Sequence, residues 1–248
     1  IRWRFFMAIL KRVIHQLIFI LYRLMYHLIK VDSKVIIFES NLGKNYTGNP
    51  KAIYEKMVKR GLDQVYTCVW IFNNPQTVIP GKHIQVKKMR LKYLYYFNKA
   101  KYWIVDSRQP LFLNKKAETI FIQTWHGTPL KKLALDMEVI DMGGETDLEG
   151  YKDRFKQSSS RWDYLLAQNY YSAEVFRSAF GFDKNMLSMG YPRNDKLIEV
   201  DNEMILNIKL KLNLPIDKKI ILYAPTWRDN AFIKKVIINL RQSLILII

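Results

Sequence analysis

Short apolar runs alternate with amphipathic stretches from residue 32 onward. The segments "KVIIFES", "VYTCVWIF", "YWIVDS", "TIFIQTW", "YLLAQN", "MLSMGY" and "KIILYAPTW" read as strands. Several are apolar without interruption, as expected of strands covered on both faces. Helical patterns lie between them. "NPKAIYEKMVKRG" predicts a helix with Asn49 as N-cap, Pro50 at the first helical position and Gly61 as its stop. "YSAEVFRSAFG" predicts another, capped by Ser172 and ended by Gly181. This alternation specifies an α/β domain with a mostly parallel sheet, whose ligands gather at the carboxyl ends of the strands. The chain shows no internal repeat and no low-complexity tract.

The first thirty residues follow a different pattern. Arg12, Gln16, Arg23, His27 and Lys30 are spaced 4, 7, 4 and 3 apart. At about 100° per residue they share one narrow helical face, opposite Leu17, Ile18, Phe19, Leu21, Leu24, Met25 and Leu28. Six basic residues (Arg2, Arg4, Lys11, Arg12, Arg23, Lys30) and no acid occur here. The uncharged stretches fall short of the roughly 18–20 residues of a spanning helix, and no signal-cleavage pattern follows. A helix lying in the headgroup region of an anionic leaflet fits this pattern. A helix packed on its own domain or on a partner is the alternative. His15 and His27 are read as interfacial polar residues.

Composition narrows the picture. The 248 residues suffice for one large or two ordinary domains, and 49% hydrophobic with 14% aromatic content excludes a disordered chain. A net charge of +18 calls for an anionic partner. The single cysteine, Cys68, excludes an intrachain disulfide and reads as an inert core residue in a reducing compartment. Residues 82–101 hold seven basic residues among Tyr93, Tyr95, Tyr96 and Phe97, which predicts a surface helix with its aromatics turned inward. Residues 136–153 hold seven acids without a calcium-loop or D-x-D pattern, and read as a solvated loop. The start at Ile1 and the apolar close "FIKKVIINLRQSLILII" read as the ends of a fragment or truncated frame.

The candidate chemistry centres on "TIFIQTWHGTPLKKLALDM". The strand is expected to end at His126, with Thr128 as N-cap and Pro129 opening a helix. His126 and Gly127 then occupy the turn on the binding edge, where helix amides attract anions. Lys131 and Lys132 would sit in the first turn, against the helix dipole, unless an anion offsets that cost. The same dipole would keep His126 neutral and ready to accept a proton, and Gly127 would let the backbone approach a ligand closely. A strand-end histidine capping a carbonyl, with surface lysines beyond it, explains the same residues without chemistry.

"ESNLGKNYTGNPKAIYEKM", "TWHGTPLKKLALDM", "GYPRND" and "ILYAPTWRD", in this order, resemble the CDP-glycerol glycerophosphotransferase family, the teichoic-acid primases and polymerases of Gram-positive bacteria. The likeness runs from about residue 35 to residue 230. It implies a GT-B-type fold of facing Rossmann-like halves, bound peripherally to the cytoplasmic face of the cell membrane. Its expected parts here are an amphipathic helix (1–31), one complete Rossmann-like acceptor-side half (32–195) and the beginning of a truncated nucleotide-binding half (196–248).

The implied reaction moves glycerol phosphate from CDP-glycerol to a hydroxyl of a lipid-linked acceptor, a polyprenyl-diphosphate disaccharide or glycerol-phosphate chain, and releases CMP. No cofactor or metal is implied. By the same resemblance His126 is the base, worth roughly 10²–10⁴-fold. Gly127, Thr128, Lys131, Lys132, Thr226 and Arg228 face the phosphates, Asp136 is a possible orienter of the base, and Arg193 shapes the interdomain crossover. His83 is expected to be solvated. Relatives continue past "APTWRD" to a second essential histidine, whereas no histidine follows His126 here. The exact polypeptide is therefore expected to be inactive. Rival readings are a non-catalytic membrane-binding remnant and a ribitol-phosphate or sugar-phosphate transferase. A nucleic-acid partner is disfavoured because no nucleic-acid motif accompanies the charge.

Overall fold

The computed structural model describes residues 16–140, 146–223 and 244–247. The chain divides into two units, Ile1–Asp136 with Lys152–Arg193, and Met137–Tyr151 with Asn194–Ile248. The first unit is built on seven strands: β1 (Asp32–Glu39), β2 (Thr67–Phe72), β3 (Ile84–Lys87), β4 (Ala100–Val105), β5 (Ile120–Gln123), β6 (Tyr164–Ala167) and β7 (Asn185–Ser188). Their order is β3-β2-β1-β4-β5-β6-β7 and every neighbouring pair is parallel. The chain winds outward in both directions from β1, so the β1/β4 boundary is the topological switch point.

Continuous apolar runs became central strands because both sheet faces are covered. "CVWIF" of β2 is buried throughout. On one face Phe38 stacks on Trp70 at 5.3 Å, Trp70 stacks on Phe72 at 5.8 Å, and Tyr54 meets Phe38 and Trp70 edge-on. Tyr54 comes from helix α2 (Gly48–Lys59). Helix α3 (Leu91–Lys99) buries Tyr93, Leu94 and Phe97, with Phe97 packed on Trp103 of β4. Of the aromatics expected to turn inward, Tyr93 and Phe97 do so, whereas Tyr95 and Tyr96 are only half-buried. Strand β3 in the same stretch escaped sequence reading, being four residues of an edge strand with only Val86 buried. Cys68 is buried in the core, and burial pushes its thiol up to about 11.

Several helix boundaries differ from expectation. Thr47, not Asn49, precedes α2, which puts Pro50 third in the helix. Asn49 is withdrawn into the core for another task. Helix α5 (Tyr170–Phe180) is capped by Asn169, whose side chain accepts the Ser172 amide at 2.9 Å, so Ser172 is not the cap. Gly181 ends it in the left-handed region as predicted. Part of the acidic stretch forms helix α4 (Leu148–Ser159) rather than a loop, with Asp147 accepting the Gly150 amide. His83 is half-buried, its Nδ1 at 2.9 Å from the Gly81 carbonyl and its ring edge-on to Tyr54.

The described part of the N-terminal helix, α1 (16–28), packs on the first unit through Tyr22. The Tyr22 hydroxyl donates to the Asn114 carbonyl at 2.8 Å and its ring meets Phe112 edge-on. Leu17, Phe19, Ile20, Leu24 and Leu28 remain exposed. No described helix is long and apolar enough to cross a membrane. In the second unit, helix α6 (Asn202–Lys211) is capped by Asp201, and β8 (Ile220–Tyr223) pairs antiparallel with β9 (Leu244–Ile247).

Candidate active site

The carboxyl ends of β1, β4 and β5 carry the buried polar side chains Glu39, Asp106, Gln123 and Thr124. Beyond β5, the Thr124 amide continues the ladder to the Val105 carbonyl at 2.8 Å. The chain then turns sharply. Trp125 adopts a φ of 51°, a left-handed conformation rare for a bulky residue. Three contacts hold it there: its amide donates to Gln123 Oε1 at 3.0 Å, and its ring packs on Phe180 at 4.5 Å and stacks on His126 at 4.5 Å.

His126 is exposed, and its Nδ1 lies 2.8 Å from the main-chain carbonyl of Asp106. A carbonyl only accepts, so Nδ1 carries the hydrogen and the neutral ring keeps its lone pair on Nε2. The geometry is the carbonyl cap of the second reading, and it leaves Nε2 as the acceptor nitrogen of the ring. Asp106 itself sits buried at the switch point, with Oδ1 accepting from the Asn41 amide at 2.9 Å and Ser107 Oγ at 2.7 Å. Burial raises its carboxyl, against the opposing pull of those hydrogen bonds and of His126. Glu39, at the end of β1, is fully buried and shared between Lys88 Nζ at 2.9 Å and Gln109 Nε2 at 3.0 Å. Burial raises this carboxyl too, more than Lys88 lowers it.

Two further residues fasten the turn. Asn49, fully buried, donates from Nδ2 to the carbonyls of Thr124 (3.0 Å) and Trp125 (3.2 Å), and its Oδ1 accepts the Arg193 amide at 3.4 Å. The Tyr191 hydroxyl donates to the Gly127 carbonyl at 2.9 Å. The "GNP", "WHG" and "GYPR" motifs therefore converge on one turn. Sequence reading did not single out Asp106, Asn49 or Tyr191 for this role. For Asp106 the available signal was an aspartate closing the strand "YWIVDS".

The helix expected from Pro129 is absent. Residues 127–133 run without regular structure and only Ala134–Asp136 form a single 3-10 turn. Other bonds take the carbonyls such a helix would need: Tyr171 Oη donates to the Pro129 carbonyl at 3.0 Å, and the Leu130 amide closes a tight local turn on the Thr128 carbonyl at 2.9 Å. The dipole invoked to hold an anion and neutralise His126 has no helix here to generate it. The hydrogen bond to Asp106 fixes the tautomer instead.

Thr128 Oγ1 donates to Gln168 at 2.9 Å, and Lys131 and Lys132 lie exposed on the same loop. Asp136 accepts from Ser178 Oγ at 2.8 Å, tying the 3-10 turn to α5, so the group that orients the imidazole is the Asp106 main chain. The guanidinium of Arg193 lies over the Tyr191 ring at 5.2 Å. Thr226 and Arg228 fall outside the described residues.

A doubly wound parallel sheet with an oriented imidazole beside its switch point defines a Rossmann-like α/β domain. Residues 20–245 match the family described as CDP-Glycerol:Poly(glycerophosphate) glycerophosphotransferase, and the chain belongs to that family. It is 49% identical over 209 residues to the teichoic acid poly(glycerol phosphate) polymerase of Staphylococcus epidermidis, covering 83% of this chain and 29% of that protein. It is 40% identical over 231 residues to the teichoic acid glycerol-phosphate transferase of Staphylococcus aureus, covering 91% and 58%. The structure of the wall teichoic acid polymerase TagF superposes with a TM-score of 0.80 at 44% identity, over 94% of this chain and 58% of that one. The chain thus spans 29% to 58% of the length of these relatives.

Proposed function

We propose that this chain carries the acceptor-side half of a transferase that moves glycerol phosphate from CDP-glycerol to a hydroxyl of a lipid-linked wall teichoic acid acceptor, releasing CMP. Nε2 of His126 takes the hydroxyl proton as the acceptor oxygen bonds to phosphorus and the bond to CMP breaks. The observation that carries this reading is the hydrogen bond from His126 Nδ1 to the Asp106 carbonyl, 2.8 Å long, which leaves Nε2 as the proton acceptor on an exposed ring. Lys131 and Lys132 supply positive charge on the loop beyond it. The arrangement belongs to a GT-B-type fold in which a nucleotide-binding half completes the donor site. The protein works peripherally at the cytoplasmic face of the membrane, which the exposed apolar row of α1 and the net charge of +18 support.

Titration with a short glycerol-phosphate oligomer, read on the His126 ring signals by NMR, tests the acceptor half directly. Selective movement of His126, with His83 still, is expected. A silent His126 at millimolar oligomer overturns the assignment. In any form of the protein that transfers from radiolabelled CDP-glycerol, His126→Ala lowers the rate roughly 10²–10⁴-fold, and an unchanged rate refutes the role of base.

A further inference from the structure

The edge of the sheet opposite His126 holds a second polar site. A cleft of about 470 Å³ opens between α1 and the segment leading into β5, lined by Arg23, Tyr26, His27, Asn114, Lys115 and Arg161. Arg161 is its most constrained member. One guanidinium nitrogen donates to the carbonyls of Pro110 and Leu113, both at 2.9 Å, and the other to Gln109 at 2.8 Å. Its Nε is buried without a partner among the described residues. Every strong partner is a neutral carbonyl, and among the described residues no carboxylate pairs with it. Lys115, by contrast, is bridged to Asp163 at 3.1 Å. A largely buried guanidinium without a counter-charge costs free energy that an anion in the cleft would offset. Burial accordingly pulls the pKa of Arg161 down to about 10.

The helix supplies the rest of the argument. At about 100° per residue, three rows run along α1. Tyr22 marks the docked row, Leu17, Ile20, Leu24 and Leu28 form an exposed apolar row, and Arg23 and His27 lie between them at the mouth of the cleft. A neighbouring cleft shares Tyr26 and His27 and adds Lys30, Lys101 and Lys116. An apolar row sunk into acyl chains places the basic row, and the cleft behind it, at the depth of lipid phosphates.

We propose that the cleft between α1 and Arg161 binds the phosphate headgroup of an anionic phospholipid, with Arg23 and His27 at its mouth and Arg161 at its floor. This rests on the membrane reading above and names the site through which it acts. Generic attraction of a basic protein would depend on charge alone; this site depends on position.

Flotation with phosphatidylglycerol-containing vesicles separates the two. Arg23→Gln with His27→Gln, both exposed and outside the transfer site, should weaken binding about tenfold at unchanged melting temperature. The control pair Lys59→Gln and Arg60→Gln, exposed at the end of α2, removes at least as much charge and should change it less than about twofold. A cleft variant that binds like the wild type, or a control that falls as far, overturns the site and leaves the membrane reading standing. Wild-type protein that ignores these vesicles sinks the membrane reading itself. Movement of the His27 ring signals by free sn-glycerol 3-phosphate, without vesicle binding, would assign the cleft to a soluble anion and overturn the lipid.

Discussion

Asn49 gives the sharpest test of how the imidazole is presented. Its two ends are chemically distinct in this structure: Nδ2 faces two carbonyl oxygens, at 3.0 and 3.2 Å, and Oδ1 faces the Arg193 amide at 3.4 Å. Those partners fix the amide orientation, because carbonyls can only accept. Asn49→Ala removes two donated bonds in a fully buried place, each worth about 0.5–1.5 kcal/mol, so a loss of about 1–3 kcal/mol follows. Asn49→Asp keeps the shape but turns an oxygen on both carbonyls and buries a charge without a counter-ion. The cost rises to about 3–5 kcal/mol at pH 7. The substituted carboxyl is desolvated, so its folded pKa lies above the unfolded value. Protonation therefore favours the fold, and the gap between the Asp and Ala variants narrows as pH falls from 7 toward 5. Urea unfolding followed by tryptophan fluorescence measures all three proteins at both pH values. An Asp variant as stable as the wild type, or milder than Ala at pH 7, would refute the assigned direction of these hydrogen bonds and the clamp with them.

Alkaline stability provides a second check. Burial pushes Tyr191 up to about 12 and also raises Tyr22, Tyr54 and Tyr93. Because these folded values exceed the unfolded value of about 10, their contribution is complete below pH 10 and disappears as pH climbs through the folded values. Melting temperature should fall between pH 10 and 12, and Tyr191→Phe should show a shallower fall than the wild type; parallel slopes would contradict this. The same variant loses the bond to the Gly127 carbonyl, about 0.5–1.5 kcal/mol at neutral pH. Cys68, buried with its thiol pushed up to about 11, should resist a thiol-specific disulfide reagent in the folded protein and react at once in denaturant. Rapid labelling of the native chain would show that β2 is not the closed core strand described.

The parts of the fold that depend on local pattern were legible. A run such as "CVWIF" declares a strand covered on both faces, and Gly181 ends α5 because its left-handed φ of 54° suits glycine. His126 was legible as a turn residue because the apolar run of β5 stops just before it, although the strand itself ends at Gln123 rather than running to His126. Competition for the same groups defeated the rest. Asn49 has the chemistry of an N-cap, but its amide is spent on carbonyls 75 and 76 residues away. Pro129 and the leucines after it have helical spacing, yet Tyr171 captures a carbonyl that helix requires. Asp106 acts on His126 through a main-chain oxygen, which no side-chain pattern encodes. The spacing of Arg23 and His27 is readable from the sequence, whereas the unpaired guanidinium behind them comes from a residue more than a hundred positions later.

The wholly parallel sheet has a consequence for biosynthesis. No two of its strands can join through a hairpin, so each pairing waits for a complete crossover to leave the ribosome. Asn49 meets Arg193 across 144 positions, and Gly127 meets Tyr191 across 64. A nascent chain that has emerged only as far as the imidazole already contains Asp106 and Asn49, which orient the ring and fasten its turn, but not Tyr191 or Arg193. The last fastenings arrive with the GYPR segment, so translational pausing before residue 191 should leave a folded β1–β5 core whose imidazole is oriented by Asp106 but whose Gly127 carbonyl still lacks its donor.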